Sequence, residues 1–345
     1  MPFRLKKYQG NPILSPNPVC PWESLSVTNP GACYDEETGV VTMLYRCADH
    51  DAGYMRRLGL ATSKDGYHFE RVSDRPVLSP CPDAWDAGPV EDARIIKMGD
   101  WYYVTYVGYP EWQGKVYIPK AERPKFWVWP KYPDEFPDPL KWRGVRTGLA
   151  LTRDFRTFKR VGPITHPSAD DRDLVIFPEK INGKFWRLHR PCWRGPKYGL
   201  DAPAMWVGSA EDLLWWPEDE TRVMAQAKYD WEGEKIGANT PPIKTPKGWL
   251  VLYHGVSPVD RYYRIGAMLL DLDDPGRILH RTPDWIMEPT EEYEKVGLYN
   301  GVVFPCGAVV IGGKLFVYFG CGDKHIGLAT ADMDELVDYL LTCPE

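Results

Sequence analysis

Five segments of the chain share one pattern, in which two strands rich in β-branched and aromatic residues flank a turn that contains Gly or Asp. These strand pairs begin at Gly31, Asp92, Val175, Thr240 and Val303. A third strand follows each pair, and these begin in the same order at Gly59, Gly148, Met205, Arg264 and His325. Five units in 345 residues give about 69 residues per unit, the size of a four-stranded blade with its loops. The repeat therefore predicts an all-β fold, a five-bladed β-propeller.

The repeat also predicts a single domain over residues 1–345, because one blade cannot bury its two faces alone. Two β-sandwiches would need a linker between the halves, and the sequence shows none. Helical periodicity is found only in DMDELVDYLL, residues 332–341, which predicts a short C-terminal helix. The segment 111–143 interrupts the pattern with eight aromatic residues and six prolines, and we interpret it as a long insertion loop with a role in binding or assembly.

Composition excludes several classes of function. The net charge of −6 provides no broad basic field, so nucleic acid and anionic membranes are poor partners. The eight cysteines form no CxxC pair and no zinc-ligand spacing, and no secretion signal or membrane span is visible, so we expect a cytoplasmic protein with reduced thiols. The motifs of nucleotide-binding loops, zinc peptidases and serine hydrolases are missing from the sequence.

Polar residues at the channel mouth are the site candidates, since the innermost strands of a propeller converge there. The residues where innermost strands begin are Asn29, Glu91, Asp92, Arg172, Asp173, Lys235 and Asn300. Those at the ends of second strands are Arg46, Asp49, His189, Arg190, His254 and Asp323. Carboxylates mixed with cations suit a polar, uncharged substrate that is attacked by an anion. Each of these residues alone fits equally well as a solvated turn residue or a strand-end ion pair.

Six separated strings resemble, in sequence order, the motifs of glycoside hydrolase family 130, the β-mannoside phosphorylases and related hydrolases. They are VEDARI, FPEKINGKFWRLHRP, KIGANTPPIKTPKGWLVLYHGV, RIGAMLLDLDDPGRIL, EKVGLYNGVVFPCGAVV and GCGDKHIGLAT. The resemblance runs from about Asn11 to Leu341. It implies a five-bladed propeller that uses inorganic phosphate, without metal or other cofactor, to cleave a terminal β-mannosidic bond with inversion and release α-D-mannose 1-phosphate.

The resemblance also assigns roles to residues. Asp92 matches the general acid, whose proton is thought to reach the glycosidic oxygen through the O3 hydroxyl of mannose. The phosphate-binding set matches Arg172, Arg190, Lys235 and His254. The positions that bind the mannoside match Asn29, Arg46, Arg57 and Asp323, with Asp173 beside them, and Arg57 aligns almost as well when shifted to Arg56.

Two other functions remain open at this point. A β-mannosidase would use water and a carboxylate base, for which Asp173 or Glu179 is available, and the cations would then serve as ion pairs between blades. A non-catalytic propeller would bind mannosides and leave them intact. The tryptophans of the 111–143 segment either cap the acceptor side of the site or form a subunit contact in a homo-oligomer; they are Trp112, Trp127, Trp129 and Trp142. The sequence leaves the choice between β-1,2 and β-1,4 linkages open.

Overall fold

The computed structural model confirms the five-bladed β-propeller. The structure describes residues 2–49, 54–82, 84–109, 145–166 and 169–345. In these ranges, strands β1 to β21 form five antiparallel sheets, one for each sequence repeat. The 111–143 segment and its tryptophans lie outside the described residues, so the predictions made for them remain predictions.

Blades 1 to 3 follow one another along the chain. Blade 1 contains β2 (Ser26–Asp35), β3 (Val40–Ala48), β4 (Arg56–Ser63) and β5 (Glu70–Arg71). Blade 2 contains β6 (Val90–Met98), β7 (Trp101–Gly108), β8 (Arg146–Thr152) and β9 (Lys159–Pro163). Blade 3 contains β10 (Asp171–Ile176), β11 (Phe185–Pro191), β12 (Met205–Ala210) and β13 (Thr221–Ala225).

The innermost strand of blade 4 is interrupted. Its two pieces, β14 and β15, both pair with β16 around a break at Asn239. The strands of this blade are β14 (Lys235–Ala238), β15 (Ile243–Thr245), β16 (Gly248–Val256), β17 (Tyr263–Leu270) and β18 (Ile278–Arg281).

Blade 5 closes the ring by combining the two ends of the chain. Its three inner strands are β19 (Val303–Ile311), β20 (Lys314–Cys321) and β21 (His325–Asp332), and its outermost strand is β1 (Lys6–Lys7). Lys6 pairs with Thr330 and Lys7 with Ala329. The repeat did not predict this closure, because a two-residue strand carries no periodicity of its own.

Among the residues that the structure describes, helical structure is limited to short segments. The helices are α1 (Glu292–Lys295) and α2 (Met333–Leu341), and single 3₁₀ turns lie at Pro21–Glu23 and Asp230–Glu232. The predicted C-terminal helix is confirmed: α2 begins after Asp332, whose carboxylate accepts a hydrogen bond from the backbone N–H of Glu335 at 3.0 Å. In the described ranges, no helix has the length and apolar character needed to cross a bilayer.

The innermost strands of blades 5, 1 and 2 touch backbone to backbone. A Cβ atom at Gly31 in β2 would lie 2.3 Å from the carbonyl oxygen of Ala93 in β6. A Cβ atom at Gly307 in β19 would lie 2.1 Å from the backbone nitrogen of Ala32. Glycine is required at both positions, and the close approach brings the starts of these strands together around the channel.

The innermost strands of blades 1, 2 and 3 each carry a β-bulge that holds a polar residue near the start of the strand, and β19 of blade 5 has a further register shift between Pro305 and Gly307. In the described sheets, the register shifts between Thr28 and Gly31, between Glu91 and Arg94, and between Arg172 and Val175. The bulges contain Asn29, Asp92 and Asp173, whose φ angles are 44°, 56° and 55°. Asn and Asp tolerate this left-handed conformation better than most residues, and a bulge redirects the side chain it carries. The bulges therefore turn three polar side chains toward the channel mouth.

Candidate active site

A cavity of about 120 Å³ lies where the innermost strands begin and the second strands end. It brings together every residue of the predicted site except Arg57. The lining residues are Asn29, Arg46, Glu91, Asp92, Arg172, Asp173, Arg190, Lys235, His254, Tyr263, Tyr299, Val302, Phe304 and Asp323. All five blades or their connections contribute, so the complete cavity exists only in the closed ring.

Carboxylates crowd one side of the cavity around a single guanidinium. Arg46 Nη1 lies 3.1 Å from Glu91 Oε2 and 3.1 Å from Asp92 Oδ1, and its Nη2 lies 2.7 Å from Asp323 Oδ1. Arg46 of blade 1 is buried, and its contacts hold carboxylates from blades 2 and 5 in one cluster. Acceptors and donors arranged in this way match the hydroxyl groups of a sugar.

The pKa of the Asp92 carboxyl is raised above its ordinary value. Its Oδ1 accepts hydrogen bonds from Asn29 Nδ2 at 2.9 Å and from Arg46 Nη1 at 3.1 Å. Burial raises the pKa of Asp92, Arg46 opposes the rise, and the negative charge of Glu91 adds to it. The net upward shift of the pKa suits a general acid.

Cations dominate the other side of the cavity. Arg190 donates from Nε and Nη2 to Asp173 Oδ2 at 2.8 and 2.6 Å, and Arg172 is held by Asp170 through two hydrogen bonds of 2.7 and 2.8 Å. Lys235 donates to the hydroxyl of Tyr263 at 2.7 Å and has no carboxylate within 4.0 Å in the part of the chain that the structure describes. Burial, with Arg190 and Arg172 nearby, lowers the pKa of Lys235 to about 8, although Asp173 acts in the opposite direction. A half-buried cation without a carboxylate partner is suited to bind an anion.

His254 is a neutral imidazole with a defined tautomer. The side-chain amide of Asn239 donates to the carbonyl of Pro305 at 2.7 Å, so its Oδ1 faces His254 Nδ1 at 3.3 Å. The imidazole proton is therefore placed on Nδ1, and Nε2 carries a lone pair. Burial lowers the pKa of His254 to about 3 against the opposing charge of Asp173.

Glu91 joins the two sides of the cavity, a role that the sequence did not reveal. Its Oε2 accepts from Arg56 at 2.6 Å as well as from Arg46, and its Oε1 accepts from the hydroxyl of Tyr109 at 2.7 Å. The same Oε1 lies 3.7 Å from Arg172 Nη1. Position next to Asp92 in VEDARI was the only signal in the sequence, because the partners come from strands distant along the chain.

Sequence reasoning also missed a buried arginine and an aromatic wall. Arg94 donates to Asp173 Oδ1 at 3.2 Å and to the backbone carbonyl of Asn239 at 3.1 Å, beneath the cavity. The wall is formed by Tyr263, Tyr299 and Phe304. Aromatic residues are frequent throughout this chain, so no spacing distinguishes these three.

The structure does not bring Arg57 to the cavity, which corrects its predicted place beside the sugar. Arg57 Nη1 instead lies 2.5 Å from Asp49 Oδ2. Neighbouring residues on a strand point to opposite faces. On β4, the side chain of Arg56 points to the face of the strand on which Glu91 lies, and the side chain of Arg57 points to the opposite face.

Four other candidates from the sequence also lie outside the cavity lining, and one of them is Asp49, the partner of Arg57. His189 donates a hydrogen bond from Nδ1 to the carboxylate of Asp171 at 2.7 Å. Asn300 accepts a hydrogen bond from the backbone N–H of Gly297 at 3.2 Å. Glu179, one of the two potential bases, forms an ion pair near the surface.

Comparisons with known proteins concern the family and the fold. Residues 3–138 and 140–342 match the family model of glycoside hydrolase family 130, described as beta-1,4-mannooligosaccharide phosphorylase. The chain is 32% identical over 339 residues to 1,2-beta-oligomannan phosphorylase of Thermoanaerobacter sp. (strain X514), with 97% of this chain and 99% of the relative covered. It is 34% identical over 281 residues to beta-1,2-mannobiose phosphorylase of Listeria innocua serovar 6a, with 81% and 68% covered.

The fold has a close match among solved structures. The complex of beta-1,2-mannobiose phosphorylase from Listeria innocua with beta-1,2-mannobiose superimposes with a TM-score of 0.77 at 27% identity, covering 97% of this chain and 99% of the other. The family model, the full-length relatives and the shared propeller all lead to one assignment. The chain belongs to glycoside hydrolase family 130.

Proposed function

We propose that this protein is an inverting β-mannoside phosphorylase that transfers a terminal mannosyl residue to inorganic phosphate and releases α-D-mannose 1-phosphate. The observation that carries the proposal is the separation of charge in the cavity. One side holds a protonatable acid among sugar-binding groups, and the other holds Arg172, Arg190 and Lys235. The names of the full-length relatives, all phosphorylases of β-mannosides, support the same reaction class.

In the proposed reaction, a phosphate oxygen attacks the anomeric carbon from the face opposite Asp92 and the glycosidic bond breaks. The leaving oxygen gains a proton that originates on Asp92 and passes through the O3 hydroxyl of the mannose. Asn29 and Arg46 hold the acid in place, since both donate to its Oδ1. Asp323 and Arg46 would bind the sugar hydroxyls, with Asp173 at the boundary between sugar and phosphate. Attack on one face and departure on the other inverts the anomeric configuration.

The cation side supplies what a phosphate nucleophile needs. Two guanidiniums and one ammonium offset the desolvation of a dianion and hold it in line with the anomeric carbon. Lys235 contributes most, because Arg172 and Arg190 already share their charge with Asp170 and Asp173. His254 would accept the remaining P–O–H hydrogen of a monohydrogen phosphate at Nε2, since its own proton is on Nδ1.

A hydrolytic reaction receives less support from the same cavity. It needs a carboxylate base opposite Asp92, and Glu179 lies outside the lining residues. Asp173 lines the cavity, yet although burial raises its pKa, Arg190, His254 and Arg94 together hold that pKa well below the ordinary range of an aspartate. A carboxylate stabilised in its charged form is a weak base.

The test is to incubate the purified protein with β-1,2-mannobiose, β-1,4-mannobiose and mannosyl-N-acetylglucosamine, with and without phosphate, and to resolve the product anomers by NMR. Formation of α-D-mannose 1-phosphate only with phosphate is the expected result, and the substrate consumed identifies the linkage. Free mannose formed at the same rate without phosphate would assign the protein to the hydrolases. Sugar binding with no product would leave a binding propeller.

Replacing the acid tests its role directly. We expect Asp92→Asn to lower kcat by about 10³-fold or more while mannoside affinity changes little, because the amide keeps the contacts of Oδ1 and has no proton to give. Asp154→Asn is the matched control, since this exposed aspartate caps a turn through hydrogen bonds from the backbone of Arg156 and Thr157 that an amide oxygen also accepts. A near-normal rate in Asp92→Asn would contradict the assignment.

A further inference from the structure

A second cavity, of about 890 Å³, lies between blades 2 and 3 and is separate from the candidate active site. We call it the blade 2–3 groove; its walls come from the starts of β8 and β12, strand β11, and the loops before and after β12. Strand alternation explains the separation. Arg172 on β10 and Arg190 on β11 point into the central cavity. His189, the residue before Arg190 on β11, points to the opposite face of the strand and lines the groove.

Aromatic rings form a wall of the groove. Trp193 stacks on Tyr198 with ring centroids 5.2 Å apart and planes inclined by 8°, and it meets Trp206 edge to face at 5.0 Å. At the rim, the side chain of Trp215 lies on the surface with 73% of the residue exposed. Its turn is held by Asp212, which accepts hydrogen bonds from the backbone N–H groups of Leu214 and Trp215 at 2.7 and 2.9 Å. An indole exposed on a fixed turn is a ready stacking platform.

Buried polar atoms without partners lie among these rings. Arg187 is 4% exposed and donates to the carbonyl of Ile164 at 2.6 Å, but its Nε has no hydrogen-bond partner in the described structure. The buried indole nitrogens of Trp193 and Trp206 also have no hydrogen-bond partner in the described structure. An unsatisfied buried donor costs free energy, and so many in one place call for an explanation.

The groove also offers an acceptor. His189 is 2% exposed, and its Nδ1 binds the carboxylate of Asp171, which can only accept, so the imidazole proton is on Nδ1. Burial lowers the pKa of His189, so the ring is neutral and its unpartnered Nε2 carries a lone pair. The groove therefore combines N–H donors with a nitrogen acceptor beside flat aromatic faces.

This combination identifies the chemical class of the ligand. A hydroxyl group both donates and accepts, whereas a fully ionised anion such as sulfate or a carboxylate only accepts and would face the lone pair of His189. The groove lining carries charges of both signs, with the cations Arg146, Arg187 and Lys197 and the anions Glu218 and Asp219, so its formal charges nearly balance. We propose that the blade 2–3 groove is a non-catalytic binding site for the pyranose rings of a neutral oligosaccharide. It would hold a sugar chain at a second place on the enzyme, whether or not the central cavity carries out phosphorolysis.

The experiment uses the full chain carrying Asp92→Asn, labelled with 5-fluorotryptophan and titrated without phosphate with β-1,2- and β-1,4-linked mannotriose. Fluorine NMR reports each indole, and single Trp→Phe replacements assign the signals. We expect the Trp193, Trp206 and Trp215 signals to shift with one common dissociation constant. Trp101, on the far end of blade 2 and outside both cavities, is the matched control and should not shift.

Two variants make the result decisive. Trp215→Ala, at an exposed position, and Trp206→Phe, which removes only the unpartnered N–H and part of the ring, should each weaken this binding about tenfold or more. Turnover of mannobiose should stay unchanged in Trp215→Ala. Unshifted groove signals at saturating sugar, or dissociation constants in both variants equal to that of the Asp92→Asn protein without them, would overturn the proposal. Shifts of the groove signals by inorganic sulfate alone would instead define an anion site and overturn it as well. The fluorine NMR titrations do not depend on phosphorolysis, so failure of the proposed function is recognised separately.

Discussion

Lys235 gives a prediction about pH that distinguishes a phosphate site from a structural ion pair. Its ammonium has one hydrogen bond, to the hydroxyl of Tyr263, and its pKa is lowered to about 8 mainly by burial. With that pKa, the side chain is about nine-tenths charged at pH 7 and about one-tenth charged at pH 9. Only the charged form attracts a phosphate dianion, so phosphate affinity should fall as the pH rises through 8.

The size of the effect follows from the same numbers. Loss of the charged fraction between pH 7 and pH 9 raises the KM for phosphate by about tenfold when the neutral amine contributes nothing. Lys235→Met removes the charge at every pH. Since a hydrogen bond to a charged group contributes about 1.5–3 kcal/mol, this variant should raise the phosphate KM at pH 7 by about 10- to 100-fold.

The assay is the initial rate of phosphorolysis against phosphate concentration, from pH 6.5 to pH 9, for the native protein, Lys235→Met and Lys235→Arg. The ionisation of phosphate is common to all three, so the ratio of their KM values isolates the side chain. The ratio of the phosphate KM of the native protein to that of Lys235→Met should approach one at high pH. Lys235→Arg should still bind phosphate tightly at pH 9. The same pH dependence in Lys235→Met as in the native protein would refute the reasoning.

Two further predictions concern the buried network and the ring closure. Glu91→Gln removes a negative charge that raises the pKa of Asp92, so the alkaline limb of the pH profile of kcat should move to lower pH. The same substitution leaves buried Arg56 without its carboxylate, so the free energy of unfolding measured in urea should fall by about 3 kcal/mol. An unchanged pH profile would contradict the proposed coupling between Glu91 and Asp92. Removing residues 2–8 deletes β1 and exposes the core around Leu5. The urea concentration at the midpoint of unfolding, followed by tryptophan fluorescence, should therefore fall, and the slope of the transition should change little. An equal midpoint would show that β1 is dispensable.

The sequence predicted the blades because each repeats the same local pattern, and it placed most of the site because the repeat fixes where strands begin and end. Its error at Arg57 has a physical origin. Two adjacent arginines on β4 point to opposite faces, and the motif alone does not say which face reaches the channel. Tyr263 and Glu91 were missed or undervalued because their partners are far apart in sequence and emerge only when five blades meet.

The bulges at Asn29, Asp92 and Asp173 restrict which residue types the fold tolerates at these positions. A left-handed backbone is costly for β-branched and bulky side chains and mild only for Gly, Asn and Asp. A longer carboxylate such as Glu would combine that backbone cost with a shifted carboxyl group, so the acid has few viable replacements. New specificities in this scaffold are therefore more accessible through the residues and loops around the bulges than through the bulges themselves. The backbone conformation of the bulges thus preserves the catalytic chemistry, while the residues and loops around the bulges are free to vary.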